Sequence, residues 1–249
     1  MEEVFTRQPN IPFGRVSLVI MSGIKKCVSE ELSRLGVRRI DPWSLEGISG
    51  AESSHADMSF CHTGGRRIFC AGNGDASAWR LLEEEGFELI KTCAPVSSAV
   101  PSLNVCIIGD KVLCDTKRTD KDLMSALEAE KYTLLHTNQR YARCSAAVIG
   151  KDALITADPS IYELCRNNLI DVLRISPGGI ELDGYSYGFI GGCCGLLSPD
   201  ILCFSGNAAM HPDYLNIKSF ARDHGVSLLC LSDEPLYDIG GILPIKEHR

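Results

Sequence analysis

Residues 145–175 read SAAVIGKDALITADPSIYELCRNNLIDVLRI, and this stretch decides the fold. Residues 145–158 hold two short apolar runs joined at Gly150-Lys151, the make-up of a buried hairpin. Asp158 is a good N-cap and Pro159 suits a first helical position, so a helix is predicted over residues 159–168. A further strand is predicted over residues 171–175. Together they make one strand–strand–helix–strand unit.

The unit recurs along the chain. Hairpins are predicted at residues 58–71, turning at Gly64-Gly65, at 104–115, turning at Gly109-Asp110, and at 192–205, turning at Ser198-Pro199-Asp200. Helices follow at 76–85, 121–131 and 212–224, with apolar residues such as Leu123, Met124 and Leu127 at helical spacing. Gly86 and Gly225 stand where a left-handed C-terminal cap is wanted. Third strands are predicted at 87–92, 132–136 and 226–231. The N-terminal unit has a strand at 16–21, a helix at 24–35 capped by Gly36, and a strand at 37–40, but lacks its first strand. Residues 241–245 supply it from the other end of the chain. The expected fold class is therefore α/β: one domain over residues 1–249, a five-bladed pseudo-fivefold propeller of ββαβ units in which the termini share a blade and leave no open sheet edge there.

Composition bounds the function. The 249 residues are 45% hydrophobic and 23% charged, enough apolar content for a large core. A net charge of −7 and a pI near 5.4 argue against nucleic acid as a partner, which needs a concentrated basic face. No apolar run approaches the ~18 residues of a membrane span, and Met1-Glu2-Glu3 does not open a signal peptide, so no membrane association and a cytoplasmic location are expected. The twelve cysteines include no CxxC pair, and most lie in apolar runs, as Cys106 and Cys230 do. Buried, reduced thiols are expected, without structural zinc. A P-loop, a GxGxxG after a strand and a GxSxG elbow are all absent from the sequence, and no cofactor is expected.

Several polar clusters invite a function. Gly188-Phe189-Ile190-Gly191-Gly192-Cys193-Cys194-Gly195 opens the fifth blade. Its glycines suit close approach to a ligand or to another strand, and Cys193 or Cys194 could act as a nucleophile with His211. The alternative is tight packing with inert thiols. His55-x-Asp57 and His211-Pro212-Asp213 each set an imidazole near a carboxylate, too thin a pattern to assign a metal, and Asp213 is simply explained as an acid in a first helical turn. Asn138, Gln139, Arg140 and Tyr141 form a polar cluster before the fourth blade: either a hydrogen-bonded connection between blades or, if the units surround a central channel, a junction whose Tyr141 and Arg143 line it.

Five such units resemble the penteins, the guanidino-group-modifying enzyme fold that includes arginine and agmatine deiminases, dimethylarginine hydrolases and amidinotransferases, as well as a non-catalytic ribosome-binding branch. Asp57-Met58-Ser59-Phe60 resembles the family's Asp-x-x-Phe, whose carboxylate grips a guanidinium. His62 stands near where the family often has a second acid. Thr116-Lys117-Arg118-Thr119-Asp120 resembles a Lys-Arg-Thr segment in which the arginine holds a substrate carboxylate. Alignment on Gly150 puts Tyr141 where the family has a catalytic histidine, and a phenol titrating near 10 is a poor proton shuttle at neutral pH. In Asp238-Ile239-Gly240-Gly241-Ile242-Leu243-Pro244 the glycines match the family's catalytic loop, but Leu243 and Pro244 stand where histidine and cysteine would be.

The resemblance implies a central polar pocket for a small guanidino- or amino-acid-like ligand, lined by Asp57, Phe60, His62, Arg118, Tyr141, Gly191, Gly192 and Asp238. It also implies that the usual Cys/His pair is not retained. Catalysis would need an atypical group, with Tyr141, Cys144, Cys193 and His211 as candidates. A non-catalytic protein-interaction scaffold of the same fold is the alternative.

Overall fold

The computed structural model describes residues 2–46, 48, 50–74, 76–93, 96–97 and 100–249. The first unit holds β1 (Glu3–Phe5), β2 (Arg15–Ile20), α1 (Lys26–Arg34) and β3 (Arg38–Ile40). The second holds α2 (Ala56–Ser59), β4 (Phe60–His62), β5 (Arg67–Cys70), α3 (Ala76–Glu84) and β6 (Glu88–Lys91). The third holds β7 (Cys106–Ile108), β8 (Lys111–Cys114), α4 (Lys121–Ala129) and β9 (Thr133–His136). The fourth opens on α5 (Ala142–Ser145) and continues through β10 (Ala146–Gly150), β11 (Ala153–Thr156), α6 (Pro159–Asn167) and β12 (Asp171–Arg174). After β13 (Ile180–Glu181), the fifth holds β14 (Cys194–Ser198), β15 (Ile201–Phe204), α7 (Tyr214–Asp223) and β16 (Ser227–Cys230). The chain ends with β17 (Leu236–Tyr237) and β18 (Leu243–His248).

Units two to five each form a three-stranded sheet. The first two strands are antiparallel, and the helix returns the third parallel to the second. In the first unit the order is β1-β18-β2-β3, so the C-terminal strand completes the N-terminal sheet as expected. That strand begins at Leu243 and not at residue 241, because Gly240 and Gly241 both have positive φ (74° and 84°) and turn the chain first. β1 was not expected; it pairs antiparallel with β18 on the side away from β2, so this sheet keeps an edge strand where none was expected. The short parallel pair β13–β17 is a second addition.

Burial repeats with the unit. Every long helix buries an i, i+4 pair: Val28/Leu32, Ala78/Leu82, Leu123/Leu127, Ile161/Cys165 and Ile217/Ala221. The middle strands are almost wholly buried, whereas the third strands β6, β9, β12 and β16 expose both end residues. This corrects one expectation. Cys230, the last residue of an outer strand, is exposed, while Cys106 on an inner strand is buried. All twelve cysteines are free thiols.

The helix ends carry the same signature. The residue that leaves each long helix is left-handed: Gly36, Gly86 and Gly225, as expected, but also Lys131 (φ 68°) and Leu169 (φ 58°). An L-residue in that conformation is strained by about 1–2 kcal/mol, which a glycine avoids at some cost in chain entropy. Leu169 is 91% exposed, so its side chain contributes little packing. Leu169→Gly is expected to raise the unfolding free energy in urea by about 0.5–1 kcal/mol. A loss of stability would mean that the left-handed turn is not strained there.

Candidate functional site

The polar interior is assembled just ahead of the inner strands. α2 precedes β4, residues 101–104 precede β7, α5 precedes β10, a helical turn at Gly191–Cys193 precedes β14, and residues 238–241 precede β18. Hydrogen bonds link these segments from sheet to sheet. Asp57 N–H donates to Gly240 O (3.1 Å), and Asn104 Nδ2 donates to Asp57 O (3.4 Å). Asn104 Oδ1 accepts from the backbone N–H of Arg143 (2.8 Å) and of Cys144 (3.3 Å). Arg143 Nη1 donates to Gly191 O (3.1 Å), and Gly241 N–H donates to Gly192 O (2.8 Å). The series passes through all five units.

Inside it, four chemically active side chains meet. The Cys144 thiol donates to Asp57 Oδ2 at 2.6 Å, and Asn104 Nδ2 lies 3.4 Å from the sulfur. His55 Nδ1 is 3.8 Å from Asp238 Oδ1. Asp238 is fixed by the N–H groups of Phe189 (2.8 Å) and Gly240 (3.0 Å). The donor atoms of His55, Cys144 and Asp238 all lie within 4.8 Å of one another, the one such three-donor group among the described residues. All four side chains are buried, and Asp57 Oδ1 has no hydrogen-bond partner among the described residues.

The electrostatics follow from that burial. Desolvation pushes the Asp57 carboxyl up to about 6 against the pull of His55, with the Asp238 charge adding to the rise. Burial, then the Asp57 and Asp238 charges, hold the Cys144 thiol well above its ordinary value. Asp238 is also raised by burial, despite its backbone donors. The buried Arg143 guanidinium rests on Asn10 Oδ1 (3.0 Å) and Gly191 O, and forms no ion pair among the described residues. Asp57, Phe60, His62 and Arg143 border a void of about 20 Å³, room for a single water.

The glycine-rich opening of the fifth unit is explained by close packing. A Cβ on Gly192 would lie 2.0 Å from Asp238 Oδ1, and one on Gly191 would lie 2.4 Å from the carbonyl oxygens of Arg143 and Ala146. The Cys193 and Cys194 thiols both donate to Ile190 O at 3.1 Å and not to His211. Burial pushes Cys194 up to about 12 and Cys193 well up, so neither is an activated thiol.

Other sequence candidates lie apart from this group. His211 Nδ1 accepts from Asp213 N–H (3.0 Å), and burial lowers its pKa. Asp213 was expected in the first turn of a helix; it precedes α7 at the N-cap position, with no capping bond, and instead accepts from Ser176 N–H at 2.7 Å. The two His-x-Asp pairs therefore do not meet. Arg118 is half-exposed and bonds to Asp115 at 2.8 Å. Phe60 packs on Trp43, ring centres 4.4 Å apart. His62 bonds Gly65 O (3.0 Å), and burial lowers it to about 4, leaving it neutral at pH 7. Tyr141 stacks on Phe189 at 6.2 Å, its phenol raised by burial and by the Glu52 carboxylate. Asn104, Arg143 and His55 carry more of the centre than the sequence suggested. One signal could have found part of it: Asp57, Arg143 and Gly191 each stand three residues ahead of their inner strand.

A family model described as a family of unknown function (DUF6873) matches residues 19–243. The chain belongs to that family. No curated protein sequence matches it. Among solved structures, the chain is similar to the amidinotransferase SxtG of Microseira wollei, from saxitoxin biosynthesis, with 11% identity, a TM-score of 0.58 and 92% of each chain covered. It is similar to the inosamine-phosphate amidinotransferase of Streptomyces griseus, at 12% identity and a TM-score of 0.55, covering 92% of this chain and 91% of that one. A third is the DDAH of Pseudomonas aeruginosa bound to citrulline, at 10% identity and a TM-score of 0.51, covering 88% and 92%. The fold is thus that of the pentein, guanidino-group-modifying enzymes. No helix among the described residues is long and apolar enough to cross a membrane.

The raised Asp57 gives a stability test. Its folded-state value of about 6 exceeds the ordinary 3.8, so its contribution is fully present below about pH 4 and is lost as the pH rises through 6. Asp57→Asn removes that loss. It is expected to raise the unfolding free energy by about 2–3 kcal/mol at pH 8 and to change it little at pH 4. Equal effects at both pH values would show that the Asp57 carboxyl titrates alike in the folded and unfolded chain, with no shift from burial. Gly192→Ala, which drives a methyl into the Asp238 carboxylate, is expected to lose about 1–3 kcal/mol in the same assay.

Proposed function

We propose that this protein binds a small molecule carrying an amidinium or guanidinium group at the Asp57–Cys144 centre and transforms it through Cys144. The five sheets would be the blades of a pseudo-fivefold propeller around that centre, an arrangement supported by the hydrogen bonds that step through all five units. The carrying observation is the convergence of a thiol, an imidazole and two carboxylates in one buried group. It occurs on a fold whose solved relatives include two amidinotransferases and a DDAH bound to citrulline.

Each group has a role that its surroundings favour. Asp57, with Oδ1 unpartnered, receives the planar cation through charge-assisted hydrogen bonds. In the resting state burial, and then two nearby carboxylates, suppress thiolate formation. A bound cation offsets that negative charge and lets His55 take the Cys144 proton, while Asp238 stabilises the imidazolium. The sulfur then attacks the amidino carbon: the S–C bond forms as the C=N electron pair moves to nitrogen. Its return expels the leaving amine, which takes a proton, and water or a second amine releases the remaining group from sulfur. Leu243 and Pro244, where the resemblance puts histidine and cysteine, need take no part. The ~20 Å³ void holds no organic ligand, so admission requires side chains to move.

Calorimetry with arginine, agmatine, dimethylarginine and citrulline, paired with assay of released ammonia or amine, tests this. Heat and product are expected for at least one cation, with binding that tightens as the pH rises through about 6 because Asp57 must ionise. Cys144→Ala should bind without turnover. A folded sample giving neither heat nor product with any of these compounds would overturn the proposal.

A further inference from the structure

A larger cavity lies outside this centre. It has a volume of about 390 Å³, within the range of small-molecule sites, and none of His55, Asp57, Cys144 or Asp238 lines it. One side is the segment between β12 and β14, through Ile175, Pro177, Ile180 and Phe189, and the other is made by residues at the ends of the fourth sheet's strands: Ser145 before β10, Ala157 and Asp158 after β11, and Arg174 ending β12. The lining is mainly apolar. Ser145 also lines the cavity; it is 98% buried by a relative exposure of 2%, and its Oγ has no hydrogen-bond partner among the described residues. A buried hydroxyl is ordinarily paired, because leaving it dry costs about 1–3 kcal/mol.

The charges at the rim decide what complements it. Asp158 already spends its carboxylate on the α6 cap: Oδ1 accepts from Ser160 and Ile161, and Oδ2 accepts from Gln139. It has little left for a ligand cation. Arg174, also in the lining, is exposed and makes no ion pair among the described residues; its guanidinium lies 5.7 Å from the Tyr162 ring centre. The Ser145 hydroxyl, able to donate or accept, and the Arg174 guanidinium, which only donates, stand at two parts of this apolar cavity. We propose that this cavity is a second small-molecule site, taking a carboxylate with an apolar body, the carboxylate held by Arg174 and the rest packed against Ile175, Ile180 and Phe189.

The probe is 3-phenylpropionate, with 3-phenylpropionamide as its uncharged counterpart, titrated to about 10 mM and followed by isoleucine methyl NMR shifts. The acid is expected to shift the methyls of Ile175 and Ile180. The amide and the Arg174→Gln variant are expected to bind about tenfold more weakly, as loss of a charge-assisted hydrogen bond implies. Ser145→Ala should also weaken binding, whereas Asp57→Asn should leave it unchanged, which separates this site from the Asp57–Cys144 centre. Absence of saturable shifts, shifts confined to other isoleucines, or equal affinity for acid and amide would each overturn the proposal. Arg174 is exposed, so its variant reports on binding without disturbing the fold.

Discussion

Five chain segments must enter the middle of this protein with their polar backbones, and every N–H and C=O there needs a partner. The structure meets that constraint with side chains as much as with backbone. Asn104 serves three groups at once, accepting from two N–H groups of α5 and donating to the Asp57 carbonyl. Arg143 spans from its own segment to Asn10 and Gly191. Sheets that share no strand are thereby locked together, and the apolar clusters around them pack against a rigid centre. The same constraint fixes the site. Asp57, Cys144 and Asp238 sit in segments whose backbones the bonding series holds, so their relative positions depend on packing from every unit.

The price of that rigidity is buried charge. Asp57 and Asp238 are desolvated; His55 lies beside them, and the Arg143 guanidinium bonds to neutral groups instead. Such a centre is electrostatically unfinished: one more positive charge would lower the Asp57 pKa and ease ionisation of Cys144. That is the physical ground, independent of the fold's relatives, on which the proposed ligand is a cation.

Most of the fold was legible in the chain because its signals are local. Hairpin turns, the Asp158-Pro159 helix start and the glycine helix ends act within a few residues, and each was read where it occurs. Lys131 and Leu169 were not read as left-handed turns because nothing in their identity signals a positive φ. Cys230 was misplaced for a related reason. An apolar run looks the same on an inner and an outer strand, and only sheet order separates them. The site was less legible. Cys144 and Asp57 were both candidates, but 87 residues separate them, and no spacing rule joins positions that meet only through tertiary packing. His55 pointed to Asp57 by sequence, and in space its imidazole acts on Asp57 but also lies 3.8 Å from Asp238, a partner no local spacing could indicate.

Repetition bears on how such a centre could change over time. Each unit delivers the start of an inner strand to the same place, so the fold offers several equivalent positions for a reactive side chain. Asp57 and Arg143 occupy matching places three residues before their strands, and Cys144 follows by one. α5, ahead of β10, and residues 238–241, ahead of β18, both bond to the Gly191–Gly192 turn. The segment ahead of β18 brings no thiol, and the centre has one from Cys144 ahead of β10. What the geometry conserves is the meeting point, and chemistry can be supplied to it from any of the segments that arrive there.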